Sequence, residues 1–387
     1  MKRVFNSGVL LVIISISITV LSCNPENPPE ELPTPKPTTI KGEEVEEIVL
    51  PLTDSGPYPV GIRRNNAYVD DSRGGKEVVL TLWYPADPSV GAPGEVVADV
   101  APDLSGAPYP VILSSTKLGF IFASSLVSHG FTYIGVNKID SYFQYDNNLV
   151  DQPLDILFGL RSIAENPPAG LEGIFNTDTA GALGYSFDAL NALAMSGARI
   201  DPQAYREECG DPEFLGLGPP EWWIEYICNL SQNWTEFEAH AGSALTSSED
   251  GLWQPMTDAR IKAVMPMGPE GAWIFHERGL AAVDRPIFLI SAEEDEINIY
   301  ELEAAVLYDQ IGAAEKYMVT IKDKGHMMIG EKRPVEIMKH FANAFFGFFL
   351  QGKEEYQEYF TEEFVDQVED LAWGIYQNKN DEALWSD

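Results

Sequence analysis

Six short apolar runs, at residues 110–115, 131–136, 179–184, 261–267, 286–290 and 317–321, constrain this chain more than any other feature. Helical segments separate them: one runs to His129, another covers residues 154–163, and residues 187–195 are rich in good helix formers. The run at 110–115 fits a strand buried on both faces. Strand, crossover helix, strand is the pattern of a mostly parallel, doubly wound sheet, so the expected class is α/β. Two earlier segments, residues 60–70 and 77–84, read as strands joined through Asp71-Ser72-Arg73-Gly74-Gly75. Their turn composition predicts an antiparallel hairpin on the edge of that sheet.

Two regions break the rhythm. Residues 197–255 are long and irregular and hold Trp222, Trp223, Trp234 and Trp253. Two readings of them stand side by side: a cap over a pocket, or a surface excursion packed on the side of the fold. From residue 353 the chain is acidic, with Phe364, Val368, Leu371 and Ile375 at helical spacing, which predicts a packed C-terminal helical extension over 353–387.

The first residues do not read as part of the fold. Met1-Lys2-Arg3 precedes an apolar run over residues 9–21 that ends in Val20-Leu21-Ser22-Cys23. Its length suits a signal-peptide core and is short for a membrane span. The small residue before Cys23 resembles a bacterial lipobox, which implies a signal over residues 1–22 and a lipid on Cys23. Asn24 in the next position points, by analogy, to an outer-membrane destination. Residues 23–47 carry six prolines among acids and threonines and read as an extended tether, leaving 48–387 as the folded domain.

The net charge is −35, which disfavours nucleic acid and anionic membrane surfaces as partners. It says little about substrate. Of the three cysteines, Cys209 and Cys228 remain as an even pair once Cys23 is assigned to lipid. In an oxidising cell envelope that pair is expected to form a disulfide. No spacing suggests a zinc site, and no metal or cofactor is expected.

Gly184-Tyr185-Ser186 is the only G-x-S triplet, and it joins an apolar strand to an alanine-rich helix. An ester hydrolase needs its serine on such a turn, exposed above the sheet with a helix N-terminus aimed at the developing oxyanion. A serine nucleophile also needs a base. Of five histidines, His129 falls at the wrong end of the sheet, His240 in the insertion and His340 in a late helix. His276 lies in the loop after the 261–267 strand and is the second candidate. His326, in Lys324-Gly325-His326-Met327, directly follows the last of the six strands and is the first. Asp295 closes the turn Ala292-Glu293-Glu294-Asp295 after the 286–290 strand, with Glu293 and Glu294 as neighbouring rivals. The resulting order, serine then acid then histidine, is that of the α/β-hydrolase fold.

Several short segments then resemble one family in order. They are Gly56-Pro57-Tyr58-Pro59-Val60-Gly61, Leu82-Trp83-Tyr84-Pro85-Ala86, Ser128-His129-Gly130-Phe131, Gln152-Pro153-Leu154-Asp155, Gly184-Tyr185-Ser186-Phe187 and Glu293-Glu294-Asp295. Together, over residues 56–349, they resemble the bacterial relatives of platelet-activating-factor acetylhydrolase, also labelled predicted dienelactone hydrolases. True dienelactone hydrolases use a cysteine where this chain has Ser186. The resemblance implies an ester hydrolase acting on short or oxidised acyl chains. It further implies an oxyanion hole from the backbone N–H groups of Phe187 and Leu118, the latter in the loop after the 110–115 strand.

Two positions depart from the family. Thr116-Lys117 stands where His-Gly is usual, and Asp188 replaces the second glycine of G-x-S-x-G. A carboxylate there adds negative charge near an oxyanion, for which Lys117 is a candidate partner. Polyester or larger-lipid hydrolysis is an alternative within the same chemistry. A weakly active, ligand-binding surface lipoprotein is the alternative outside it.

Overall fold

The computed structural model describes residues 50–139, 144–210 and 219–376, all within one compact unit. The signal, Cys23 and the tether lie outside the described residues. The expected hairpin forms as β1 (Val60–Asp70) and β2 (Lys76–Pro85), paired antiparallel. The six apolar runs become β4 (Tyr109–Ser115), β5 (Thr132–Val136), β6 (Phe175–Tyr185), β7 (Ile261–Met267), β8 (Ile287–Ala292) and β9 (Lys316–Ile321). Two three-residue strands complete the set, β3 (Val96–Ala98) and β10 (Leu371–Trp373).

All ten strands share one sheet in the order β10-β9-β8-β7-β6-β4-β5-β2-β1-β3. The run β5-β4-β6-β7-β8-β9 is parallel throughout, and β2 and β10 join it antiparallel. Chain order reverses between β4 and β6. At such a switch point the two crossovers leave on opposite faces, opening a crevice beyond the strand C-termini. The hairpin is near the edge as expected, but β3 lies outside it, parallel to β1.

Eleven helices flank the sheet among the described residues. They are α1 (Thr116–Ser128), α2 (Asn148–Glu165), α3 (Phe187–Met195), α4 (Pro202–Gly210), α5 (Glu221–Ile227), α6 (Trp234–Ala241), α7 (Ser243–Thr246), α8 (Ala272–Leu280), α9 (Ala304–Gln310), α10 (Lys332–Gln351) and α11 (Glu362–Val365). The alternation of side chains along each strand fills two cores. Val111 and Leu113 of β4 join one with residues of α2, α3 and α8; Ile112 joins the other with α1 and α10. Burial on both faces explains why the central strands read as unbroken apolar runs.

The C-terminal expectation needs correction. Residues 353–376 are not one helix: after a 3-10 segment, Phe364 lies in the four-residue α11, Leu371 in strand β10, and Val368 and the exposed Ile375 in neither, while residues 377–387 lie outside the described residues. Phe360, Val365, Val368 and Leu371 are buried in the α10-side core, and Leu371 pairs with Ile321 of β9. The chain trades helical continuity for hydrogen bonds to an otherwise open sheet edge.

The insertion is more regular than its sequence suggested, comprising α4 to α7. Trp234, Phe237 and Trp253 pack ring to ring beside Tyr205, and Trp223 meets Trp273 of α8 edge to face at 4.9 Å. Cys209, in α4, and Cys228, just after α5, form the expected disulfide across a sequence separation of 19. Closing a loop of that size removes entropy from the unfolded chain worth about 3 kcal/mol. Replacing both cysteines by serine is therefore expected to lower unfolding free energy by about 3 kcal/mol, read from urea titration under non-reducing conditions.

Candidate active site

The tight turn between β6 and α3 positions the first functional side chain. Ser186 has φ 58° and ψ −129°, a backbone conformation that side-chain-bearing residues rarely adopt. Its N–H is tied to the Met267 carbonyl at 2.9 Å, and its carbonyl accepts from Ala189 N–H at 2.7 Å. Gly184 makes the turn sterically feasible, since a Cβ there would lie 1.9 Å from the Asp188 carbonyl oxygen. Strain of this kind persists only where the surroundings enforce it, and it concentrates at functional sites.

Ser186, half-buried, then meets the base and acid proposed from sequence. Its Oγ is 2.9 Å from His326 Nε2. His326 Nδ1 lies 3.0 and 2.9 Å from the two oxygens of Asp295. Asp295 and His326 are each 5% exposed. Asp295 also accepts the N–H groups of Ile297 and Asn298, at 3.1 and 2.8 Å, so its orientation is fixed from its own loop. Burial by itself would lower the His326 pKa. The Asp295 hydrogen bond and charge, joined by Glu270 and Glu296, outweigh it and leave the imidazole above its ordinary range.

Two supports for His326 were not foreseen. The Tyr185 hydroxyl donates to the His326 carbonyl, and its ring lies 5.7 Å from the imidazole. Glu296 Oε2 accepts the His326 N–H at 2.9 Å. Tyr185 is the middle residue of the G-x-S triplet and Glu296 adjoins Asp295, so proximity to motif residues was their only available signal. Glu293, a rival acid, instead accepts Asp323 N–H at 2.9 Å.

The remaining histidines have other partners. His129 Nδ1 lies 2.8 Å from the Ser125 carbonyl, and His240 is 3.1 Å from Asp151. His340 is buried in α10, where its Nδ1 accepts Leu52 N–H at 3.3 Å. His276 stands at a kink that divides α8, at φ 56° and ψ 173°, with its Nε2 2.6 Å from Glu208. That pairing removes the ground for treating it as the second base.

The loop expected to carry Leu118 is replaced by a helix. No loop follows β4. Helix α1 begins at Thr116, and Ser115 caps it by accepting Leu118 N–H at 3.4 Å. The β-strand feeds the helix directly because Ser115 is a competent N-cap in extended conformation. The Leu118 N–H is thus turned toward the cap. Phe187 opens α3 immediately after Ser186, at the positive end of that helix.

Asp188, the second departure from the motif, is 3% exposed beneath this turn. Ser115 Oγ donates to its Oδ2 at 2.7 Å, and Lys117 Nζ stands 3.5 Å from the same oxygen. Burial raises the Asp188 pKa, while Lys117 and Ser115 pull it back. The carboxylate therefore links the first turns of α1 and α3 across the β4–β6 switch point.

Among the described residues, no group of three or more His, Cys, Asp or Glu stands where it would hold a metal ion. No helix among them is long and apolar enough to cross a membrane. No family model matches the chain, and no curated protein matches it. The arrangement can move a proton: a hydroxyl on a strained turn faces an imidazole whose far nitrogen is held by a buried carboxylate.

Ser115 joins two functions, capping α1 and donating to a buried carboxylate. Ser115→Ala is expected to cost about 2–3 kcal/mol, measured as the change in unfolding free energy by urea titration.

Proposed function

We propose that the chain is a serine carboxylic-ester hydrolase of the α/β-hydrolase fold, acting on short-chain or oxidised acyl esters. The observation that carries the reading is the continuous relay from Ser186 Oγ through His326 to Asp295, assembled from the ends of three parallel strands. The ordered motifs resembling the bacterial platelet-activating-factor acetylhydrolase relatives support the substrate class.

Ser186 Oγ attacks the ester carbonyl carbon as its proton passes to His326 Nε2. The C–O π pair moves onto the carbonyl oxygen, which faces the N-terminus of α3 with the Phe187 N–H as donor. Asp295 keeps the proton of His326 on Nδ1 and stabilises the imidazolium. Collapse of the intermediate expels the alcohol, which takes the proton from Nε2. Water then attacks the acyl-enzyme, giving its proton to His326 Nε2; collapse of that intermediate releases the acid as Ser186 Oγ takes the proton back from Nε2, restoring both residues. A part for Leu118 requires its N–H to leave Ser115. Lipid attachment through Cys23 belongs to the proposal on sequence grounds alone.

Asp188 was the feature that favoured a weakly active, ligand-binding surface lipoprotein. Its charge is compensated by Lys117 and held by Ser115, which weakens that alternative.

Wild-type protein is expected to hydrolyse p-nitrophenyl acetate. Ser186→Ala and His326→Ala should each lower kcat by about 10⁴-fold or more. The base must be neutral to accept a proton, and its pKa is raised. Activity should therefore climb with pH, with a midpoint above the ordinary imidazole value of 6.5. A profile flat through that range, or turnover retained in Ser186→Ala, contradicts the assignment.

A further inference from the structure

A second carboxylate lies at the same rim of the sheet, on the strand next to the one that delivers Asp295. Asp295 stands three residues beyond the end of β8, and Glu270 stands three residues beyond the end of β7. These strands are parallel neighbours, with Met267 aligned to Ile290. The Glu270 loop is joined to both halves of the Ser186 site. Met267, which closes β7, accepts the Ser186 N–H, and Asn298 Nδ2 donates to the Gly268 carbonyl at 2.8 Å.

Glu270 is only 2% exposed and has a dedicated partner. The Tyr226 hydroxyl, from α5 of the insertion, lies 2.9 and 3.2 Å from its two oxygens. Tyr226 is in turn fixed from three sides. Its carbonyl accepts Tyr145 N–H at 3.1 Å, and its ring meets that of Tyr145 at 5.4 Å. Cys228, two residues on, is held by the disulfide. Tyr145 continues the contact to Phe187, ring to ring at 6.5 Å. From α9's N-terminal side, Glu303 Oε2 accepts the N–H groups of Gly271 and Ala272 at 2.8 and 2.9 Å, anchoring the loop just after Glu270.

We propose that Glu270, held by Tyr226 of the disulfide-stapled insertion, is a positioning residue that acts through His326, its carboxylate stabilising the imidazolium that forms as Ser186 gives up its proton. The proposal rests on the reading of His326 as the base. It gives the insertion a role that neither a cap nor a surface excursion describes: it carries the hydroxyl that holds a second anion beside the site.

The charged and titratable groups around Glu270 act in opposing directions. Burial pushes its carboxyl up to about 7, with Tyr226 and His326 pulling down and Asp295 pushing up. Glu303 is pushed up to about 8, by burial first and Glu270 second. Tyr226 and Tyr145 are both raised, by burial and then by Glu270, so their hydroxyls keep their protons; Asp146 also faces Tyr226. Glu270 therefore gains its charge near neutral pH. Once ionised, it raises the proton affinity of His326 alongside Asp295 and Glu296.

The test uses the whole chain, with ¹⁵N-histidine NMR titration of wild type, Glu270→Gln and Tyr226→Phe, and His326 identified by its loss in His326→Ala. Glu270→Gln keeps the shape and still accepts the Tyr226 proton but cannot ionise. The His326 midpoint should fall by at least about half a pH unit. Tyr226→Phe should move it the same way by less, because more Glu270 remains protonated at neutral pH. The ascending, low-pH limb of kcat/KM on p-nitrophenyl acetate should shift with the midpoint. An unchanged His326 midpoint in Glu270→Gln overturns the proposal, even where activity falls. If Glu270→Gln fails to fold, an unchanged midpoint in Tyr226→Phe does the same. Absence of ester turnover in wild type would sink the hydrolase reading instead, while the NMR midpoints still decide whether Glu270 acts on His326.

Discussion

The positive φ of Ser186 is the constraint on which the rest of the site depends. A side-chain-bearing residue holds that conformation only when its neighbours leave no alternative. Here the Ser186 N–H is bound to β7, Gly184 gives way to the Asp188 carbonyl, and α3 starts at once. The turn lifts Oγ off the rim of the sheet into line with His326, which reaches it from β9 three strands further along. The chain neighbours of Ser186, Tyr185 and Phe187, are buried in the two opposite cores, which pins the turn from both sides.

The site is surrounded by buried acids, and their differing partners give them different tasks. Asp295 accepts hydrogen bonds from its own loop and faces His326 Nδ1, so its orientation is fixed. Asp188 faces a cation and a hydroxyl and ties two helix starts together. Glu270 has only a phenol, and burial keeps it near the boundary between acid and carboxylate. In a chain with a net charge of −35, sorting carboxylates by their donors is what keeps this density of acids compatible with folding.

Much of this was legible in the sequence because it depends on local pattern. Residues 261–267 and 187–195 were read with the bounds they have in the structure, since a strand apolar on both faces and an alanine-rich helix declare themselves. Ser186, Asp295 and His326 could be chosen because each lies in the turn or loop after a strand. Helix α2 was read only over 154–163, yet it runs from Asn148 to Glu165 and accommodates Pro153 within its first turns. Strands β3 and β10 were invisible, since three residues become a strand only when an edge is there to pair with. The loop expected around Leu118 is a helix instead, because Ser115 caps α1 there. Tyr226 and Glu270 lie 44 positions apart, and nothing local announces their contact. The equal offset of Glu270 and Asp295 from their strands was the one available clue.

The central claim is that Ser186, and no other serine, is an activated nucleophile. The most direct measurement is reaction of the intact protein with a fluorophosphonate, followed by peptide mass spectrometry. The account predicts one covalent adduct, on the peptide containing Gly184-Tyr185-Ser186, that is lost in His326→Ala. Labelling elsewhere, or no adduct on a folded protein, would contradict it.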